Sequence, residues 1–245
     1  MNEIRLYPAV PQLDARVVER FRRIPVSALS DSLASRPGAV GLQPVGDCLS
    51  HLEGWSMAGL ALTVRTRPGD NLAVHKALDL ARPGDVVVVD ARSEMVHAIM
   101  GELMARYALY RRLVGVVIDG AVRDRAEISA GELPVYARGV SHLGAYQTGP
   151  GEIHGPISLG GVPVHDGDVI VGDGDGVVVV PRARAEEAAD AAEKVVAIEA
   201  DQRRAIDEGR WDRSWLDASI RLVPIDAAVG TPTECSHIPC RRSGP

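Results

Sequence analysis

The sequence is poor in aromatic residues, with one Phe, three Trp and five Tyr in 245 positions. A core must therefore be built mostly from Val, Ala, Leu and Ile. Cysteine is scarce as well. Three residues cannot all pair within one chain, which argues against a disulfide scaffold and for a reducing, cytoplasmic home. Long apolar runs are missing: the clean ones are the size of Val86–Val89 and Val177–Val180, far below the roughly 18 to 20 residues of a membrane span. The opening Met1-Asn2-Glu3-Ile4-Arg5 lacks the basic-then-apolar pattern of a secretory signal. Basic charge is in deficit too, with 27 Lys and Arg against 33 Asp and Glu and a net charge of −6. That sign excludes a main task of holding a polyanion, so neither nucleic acid nor a membrane surface is expected as partner. No G-x-G-x-x-G or phosphate loop is present, which argues against nucleotide cofactors.

What is present is 46% hydrophobic and 24% charged residues, enough for a sizeable buried interior. No break in composition marks a linker. The expectation is one domain over residues 1–230, followed by a flexible tail, 231–245, with three prolines and no periodicity. Apolar spacing predicts a helix over Leu13–Ile24 and a second one entered through Pro25, ending near Arg36-Pro37-Gly38. Residues 37–57 read as loop. A strand is predicted over Leu60–Thr66, a helix over Leu72–Ala81, and a strand over Val86–Asp90. Gly101–Arg112 then reads as helix, Val114–Ile118 as strand and Asp124–Ala130 as a short helix. Leu133–Pro163 holds several short strands. Two further strands, Val169–Asp173 and Val177–Val180, precede a long helix from Ala183 to about Glu208. A Gly-Asp turn launches an apolar run twice, at Gly84-Asp85 and Gly167-Asp168. Mixed elements in this order imply an α/β or α+β domain.

The segment richest in chemistry runs from Gly101-Glu102-Leu103-Met104 to Ile118-Asp119-Gly120-Ala121-Val122-Arg123-Asp124-Arg125-Ala126-Glu127. Glu102 falls in the first turn of a helix, where unpaired backbone N–H groups and the macrodipole favour an anion such as a substrate carboxylate. Arg123 and Asp124 follow a strand and a glycine-containing turn, at the sheet end where α/β proteins place chemistry. A guanidinium can hold a carboxylate or enolate through parallel hydrogen bonds, and a carboxylate can bind a hard divalent cation. On local pattern alone, a surface ion pair with a helix cap accounts for the same residues more simply.

Glu102, twenty residues, Arg123-Asp124, two residues and Glu127, set in Gly-Val-Val-Ile-Asp-Gly-Ala-Val-Arg-Asp, together resemble the signature of the RraA-like family. That family includes class II aldolases acting on 4-hydroxy-4-methyl-2-oxoglutarate and 4-carboxy-4-hydroxy-2-oxoadipate. Gly69-Asp70-Asn71-Leu72, Pro83-Gly84-Asp85-Val86 and Gly167–Pro181 are similar to family segments, and the resemblance covers about Ile24–Asp201. It implies an αββα sandwich of the swivelling β/β/α type, a central mixed sheet or barrel flanked by helices. It also implies a lyase that releases pyruvate from a 4-hydroxy-2-oxo diacid, with oxaloacetate decarboxylation as a related activity. Gly101, Glu102, Leu103 and Met104 would bind the pyruvate-like carboxylate, Arg123 would bind the same end, and Asp124 would ligate Mg²⁺ or Mn²⁺. Glu102 would act through water. Sites of this kind lie between subunits of a homotrimer or hexamer, with an acidic residue from the neighbour's long helix, here Glu199, with Glu193 nearby.

The resemblance carries a rival function, because the family's namesake binds a ribonuclease and inhibits it. It also has gaps. Residues 37–57, with Cys48, His51 and Trp55, are longer than the family's loop, and Trp211–Leu216 and the tail differ from the aldolase C-terminus. Both leave the far end of the substrate open. His75 is either a packed helix residue or a group reaching a distal acid. Cys235, His237 and Cys240 offer three zinc ligands without a fourth. Asp173-Gly174-Asp175-Gly176 is calcium-loop-like, but Arg184 stands where the closing glutamate belongs.

Overall fold

Val86 and Val88 face one way from their strand while Val87 and Val89 face the other. This period-two alternation defines the layers of the computed structural model, which describes residues 2–33, 38–39, 41–52 and 56–223. Strand β1 (Ile4–Leu6) precedes helices α1 (Ala15–Phe21) and α2 (Val26–Ser32), and the two-residue strands β2 (Gly38–Ala39) and β3 (Gln43–Pro44) lie in the loop region. Next come β4 (Met57–Thr66), α3 (Leu72–Leu80), β5 (Asp85–Met100), α4 (Glu102–Tyr110), β6 (Gly115–Val122), α5 (Arg125–Ser129) and β7 (Val135–Val140). Short strands β8 (Leu143–Gly144), β9 (Gly151–Ile153), β10 (Ile157–Leu159) and β11 (Val162–Val164) lead to β12 (Val169–Asp173) and β13 (Gly176–Val180). A 3-10 turn at Arg182–Arg184 opens α6 (Ala185–Asp207), and α7 (Ser214–Ser219) follows.

The main sheet has the order β2-β13-β12-β4-β5-β6-β7-β3. Strands β4, β5, β6 and β7 run parallel, and the outer pairs are antiparallel. The sheet curls on itself. Tyr136 of β7 donates its hydroxyl to the carbonyl of Asp173 at 3.0 Å, and its ring fills the space where Gly172 has no side chain. Burial holds that phenol far above its ordinary ionisation range. Met57, Ala61, Val86, Val88, Val117, Ile170 and Val179 pack with Tyr136 in the interior. On one outer face Leu62, Val64, Val87, Val89, Val116 and Ile118 meet α3 and α4, and on the other Ala58, Leu60, Val169, Val171, Val178 and Val180 meet α1, α2 and α6. The result is the expected helix, sheet, sheet, helix layering. With both faces covered, the strands read as unbroken apolar runs.

Both Gly-Asp turns are the same device. Gly84 and Gly167 have φ of 90° and 80°, a backbone conformation that penalises a side chain. In each, the aspartate carboxylate accepts a hydrogen bond from the N–H three residues earlier, Arg82 for Asp85 and His165 for Asp168, both at 2.8 Å. Burial of Asp85 pushes its carboxyl above the usual carboxylate range.

Two strands run past their predicted C-terminal ends. β5 continues past Asp90 through Met100 by way of register shifts, and β6 continues through Gly120 to Val122, so that glycine lies inside a strand and not in a turn. The chain divides into two compact units, residues 1–201 and 202–245. In the second, the Asp212 carboxylate accepts the Ser214 N–H at 2.8 Å and starts α7. Trp55, Cys235, His237, Cys240 and the tail 231–245 lie outside the described residues. No helix among the described residues is long and apolar enough to cross a membrane.

Candidate active site

Parallel strands β5 and β6 end side by side, pairing Met100 with Val122, and each hands over directly to a functional segment. α4 starts at Glu102 after Gly101, and Arg123-Asp124 leads into α5. The Arg123 N–H donates to the Met100 carbonyl at 2.9 Å, which staples the two segments together. Asp124 has φ of 55°, a left-handed conformation uncommon for a residue with a side chain. That turn swings its carboxylate back to α4, where Oδ2 accepts the Glu102 N–H at 3.0 Å.

Gly101 is required by contact rather than by dihedral. A Cβ there would sit 2.4 Å from Asp124 Oδ2 and 3.0 Å from both Cγ and Nε of Arg123. On the other side of the guanidinium, a Cβ on Gly144 would sit 2.9 Å from Arg123 Nη1. The arginine is thus held between two glycines, with Nε 3.7 Å from Asp124 Oδ2. Half its side chain remains exposed, so the fork is available to a ligand.

At the start of α4 the N–H of Ala105 bonds the Gly101 carbonyl at 3.2 Å, and that of Glu102 is taken by Asp124. The N–H groups of Leu103 and Met104 carry no hydrogen bond among the described residues and point out of the helix end as free donors. The Glu102 carboxylate pairs with Arg106 one turn on and lines a groove of about 400 Å³ together with Glu127, Ile128 and Leu133. Met104 is buried, and its sulfur accepts from the Asn71 side-chain amide at 3.6 Å. The same Asn71 amide donates to the Ile99 carbonyl at 2.9 Å.

Leu103 is 77% exposed and Tyr110 79% exposed on the same helix, and Tyr107 stacks on Tyr110 with ring centres 6.1 Å apart. Met95, Val96, Val140, Leu143 and Tyr146 add exposed apolar surface from neighbouring strands and loops. Glu199 is carried by α6 and does not line the groove beside Glu102. Glu193 is committed to Arg20 at 2.8 Å, which holds its carboxyl below the usual range.

The structure therefore brings Gly101–Met104 and Arg123-Asp124 into contact. It does not leave His75 in the core: the ring is exposed and lies 3.3 Å from the Gln147 amide nitrogen, because α3 turns that position outward while Ala73, Val74, Ala77 and Leu78 face in. Asp173 of the calcium-like loop is a structural cap, accepting the N–H groups of Val26 at 2.8 Å and Asp175 at 2.9 Å. Sequence reasoning missed Gly144 altogether. Nothing local marks it, since its task depends on an arginine more than twenty positions away in the chain.

For a hard divalent cation the donor set is sparse but suitable. Asp124 Oδ1 accepts no hydrogen bond from the described residues, and the side chain is 41% exposed. No group of three or more His, Cys, Asp or Glu is arranged to hold a metal among the described residues. One carboxylate is consistent with Mg²⁺-type binding, which keeps several waters and takes substrate oxygens as further ligands.

The family model described as RraA-like, Aldolase/RraA, matches residues 26–179. A protein of Halalkalibacterium halodurans named "Putative 4-hydroxy-4-methyl-2-oxoglutarate aldolase" is 38% identical over 80% of this chain and 91% of its own length. The crystal structure of Streptomyces coelicolor RraAS2, an unusual member of the RNase ES inhibitor RraA protein family, is similar with a TM-score of 0.71. It is 27% identical, covering 79% of this chain and 98% of that one. The RNA-processing inhibitor RraA from Thermus thermophilis is similar at a TM-score of 0.52 and 29% identity, over 58% of this chain and 83% of that one.

Proposed function

Because the chain belongs to the RraA-like, Aldolase/RraA family, we propose that it is a divalent-metal-dependent lyase that cleaves a 4-hydroxy-2-oxo diacid to pyruvate and a second oxo acid. The observation that carries this reading is the Gly101–Arg123–Asp124 contact, which sets a half-exposed guanidinium beside an exposed carboxylate at the N-terminus of α4.

The substrate's 1-carboxylate docks on the N–H groups of Leu103 and Met104, where unpaired donors and the helix dipole favour an anion. Arg123 holds the same end and stabilises the negative charge that develops on the 2-oxo oxygen. Asp124 would ligate Mg²⁺ or Mn²⁺, and the cation when bound supplies Lewis-acid polarisation of the 2-oxo group. Glu102 orients a water for removal of the C4 hydroxyl proton, with Glu199 from a neighbouring subunit as its partner. As that proton leaves, the C4 hydroxyl becomes an oxo group and the C3–C4 bond breaks. Its electrons move to the 2-oxo oxygen, and proton delivery to C3 then yields pyruvate. Decarboxylation of oxaloacetate passes through the same enolate and needs no base at C4.

The exposed apolar face of α4, next to the site, supports assembly into a homotrimer or hexamer with shared sites. A cytoplasmic protein taking a small oxo acid, and neither nucleic acid nor membrane, fits its acidic balance. The Streptomyces and Thermus neighbours favour a second reading, a protein that binds and restrains a ribonuclease. Pyruvate release from 4-hydroxy-2-oxo diacids and oxaloacetate with Mg²⁺ or Mn²⁺, set beside capture of ribonuclease, separates the two. Turnover abolished by EDTA supports the lyase. Ribonuclease capture with no turnover of any oxo acid refutes it.

A further inference from the structure

We propose that a second pocket, lined by Arg5, Arg65, Arg67 and Arg92, binds a small oxyanion. The cavity, about 350 Å³, lies where β1, the end of β4, the kink of β5 and β9 converge, and Glu3 and Glu152 are its acidic groups. Three of the guanidinium groups are held in place by acids. Glu152 takes Arg5 at 3.4 Å and Arg65 at 3.1 Å, Asp90 stands 3.7 Å from Arg65, and the buried Asp70 stands 3.5 Å from Arg67. Arg67 also donates to the Thr148 hydroxyl at 3.1 Å and lies over the Tyr146 ring at 5.6 Å. Arg92 differs. Its guanidinium has no ion pair or hydrogen bond among the described residues, so all five N–H donors are open.

The backbone explains why Arg92 stands there. Arg92 and Ser93 have φ of 56° and 58°, two successive residues with side chains in left-handed geometry. The kink coincides with the register shift between Asp90 and Glu94, a bulge of the kind that re-aims a side chain. It is locked, because the Arg92 N–H donates to Asp90 Oδ1 at 3.0 Å and the Ser93 hydroxyl to Asp119 Oδ1 at 3.0 Å. Such a conformation is costly for residues with side chains and is kept mainly where a ligand or switch uses it. In a chain of net charge −6, an uncommitted guanidinium over pre-oriented ones selects an anion. Its forks fit the paired oxygens of a carboxylate or a phosphate alike.

Calorimetric titration of the full-length Arg123→Ala variant, in which the first anion site is disabled, tests this with malonate in one arm and inorganic phosphate in the other. One anion is expected to bind per chain, with an affinity that falls as salt rises. Preference for malonate assigns a dicarboxylate, and preference for phosphate a phosphorylated ligand. Adding Arg92→Gly is expected to weaken binding about tenfold or more. Glycine suits the left-handed backbone, so that variant keeps its fold, as circular dichroism and thermal melting will report. Arg92→Lys should recover only part of the affinity, because the fork is lost. Neither anion binding, or binding unchanged by Arg92→Gly, overturns the proposal. The readout uses no turnover and so stands apart from the lyase activity.

Discussion

Asp124 Oδ2 accepts the backbone N–H of Glu102 at 3.0 Å, so the carboxylate proposed to meet the cation is fixed by the helix proposed to meet the substrate. One bond sets the spacing between the two ends of the reaction centre. Gly101→Ala tests that spacing, since the new methyl would lie 2.4 Å from that same oxygen and must displace it. Turnover of oxaloacetate should fall about 100-fold while thermal melting changes little. Unchanged turnover would show that the contact has no role in catalysis.

Arg123→Ala should lower metal-dependent pyruvate release by about 10²- to 10³-fold, the usual effect of losing one donor to a developing oxyanion. Arg123→Lys should recover little, because an ammonium cannot reproduce the fork between Gly101 and Gly144. Asp124→Ala should remove the response to added Mg²⁺ or Mn²⁺ altogether. Wild-type rates in either alanine variant would mean that the site lies elsewhere.

Asp119 gives a stability test. Burial works to raise its pKa, but the Arg138 guanidinium, the Gly160 N–H and the Ser93 hydroxyl outweigh that and leave it below the usual range. Its folded pKa is therefore lower than its unfolded one. The stabilisation is present above the ordinary carboxylate range and is lost as pH falls through the depressed value. Asp119→Asn should cost about 3 kcal/mol at pH 7, read by urea unfolding, and should flatten the acid limb of the stability curve. An unchanged acid limb would count against the assignment.

The apolar face of α4 predicts assembly. The wild-type protein should sediment well above the 26.1 kDa of one chain, and Tyr110→Asp should shift it toward that mass and reduce turnover. Mixing inactive Asp124→Ala and Glu199→Ala chains under exchange conditions should restore part of the activity if each site draws on two subunits. No restoration would remove Glu199 from the shared site.

Much of this was legible in the sequence because it is written in local chemistry. Apolar runs marked the buried strands, Pro25 opened α2, and Gly84-Asp85 and Gly167-Asp168 announced strand starts. The Glu102, Arg123 and Asp124 spacing stood out only through its resemblance to the RraA-like signature, since an ion pair and a helix cap explain the local pattern more simply; in the fold both segments follow adjacent parallel strands. What stayed hidden depends on distance in the chain. β1 is a strand only because β9 pairs with it, Ile4 beside Gly151. β5 continues past Arg92 and Ser93 although their backbone breaks the alternation that would mark a strand. His75 has the spacing of a helix residue, and only the three-dimensional orientation of α3 shows that it faces out.

The sheet order also bears on how the chain is made. β4, at residues 57–66, takes its antiparallel neighbour from β12, at 169–173, and β1 waits for β9. A nascent chain emerging from the ribosome would therefore present one open edge of β4, with Ala58 and Leu60 uncovered, until more than a hundred further residues had been synthesised. Such late-closing pairings slow folding and expose sticky edges, so the yield of soluble protein should depend on translation speed and chaperone supply more than on the stability of the finished fold.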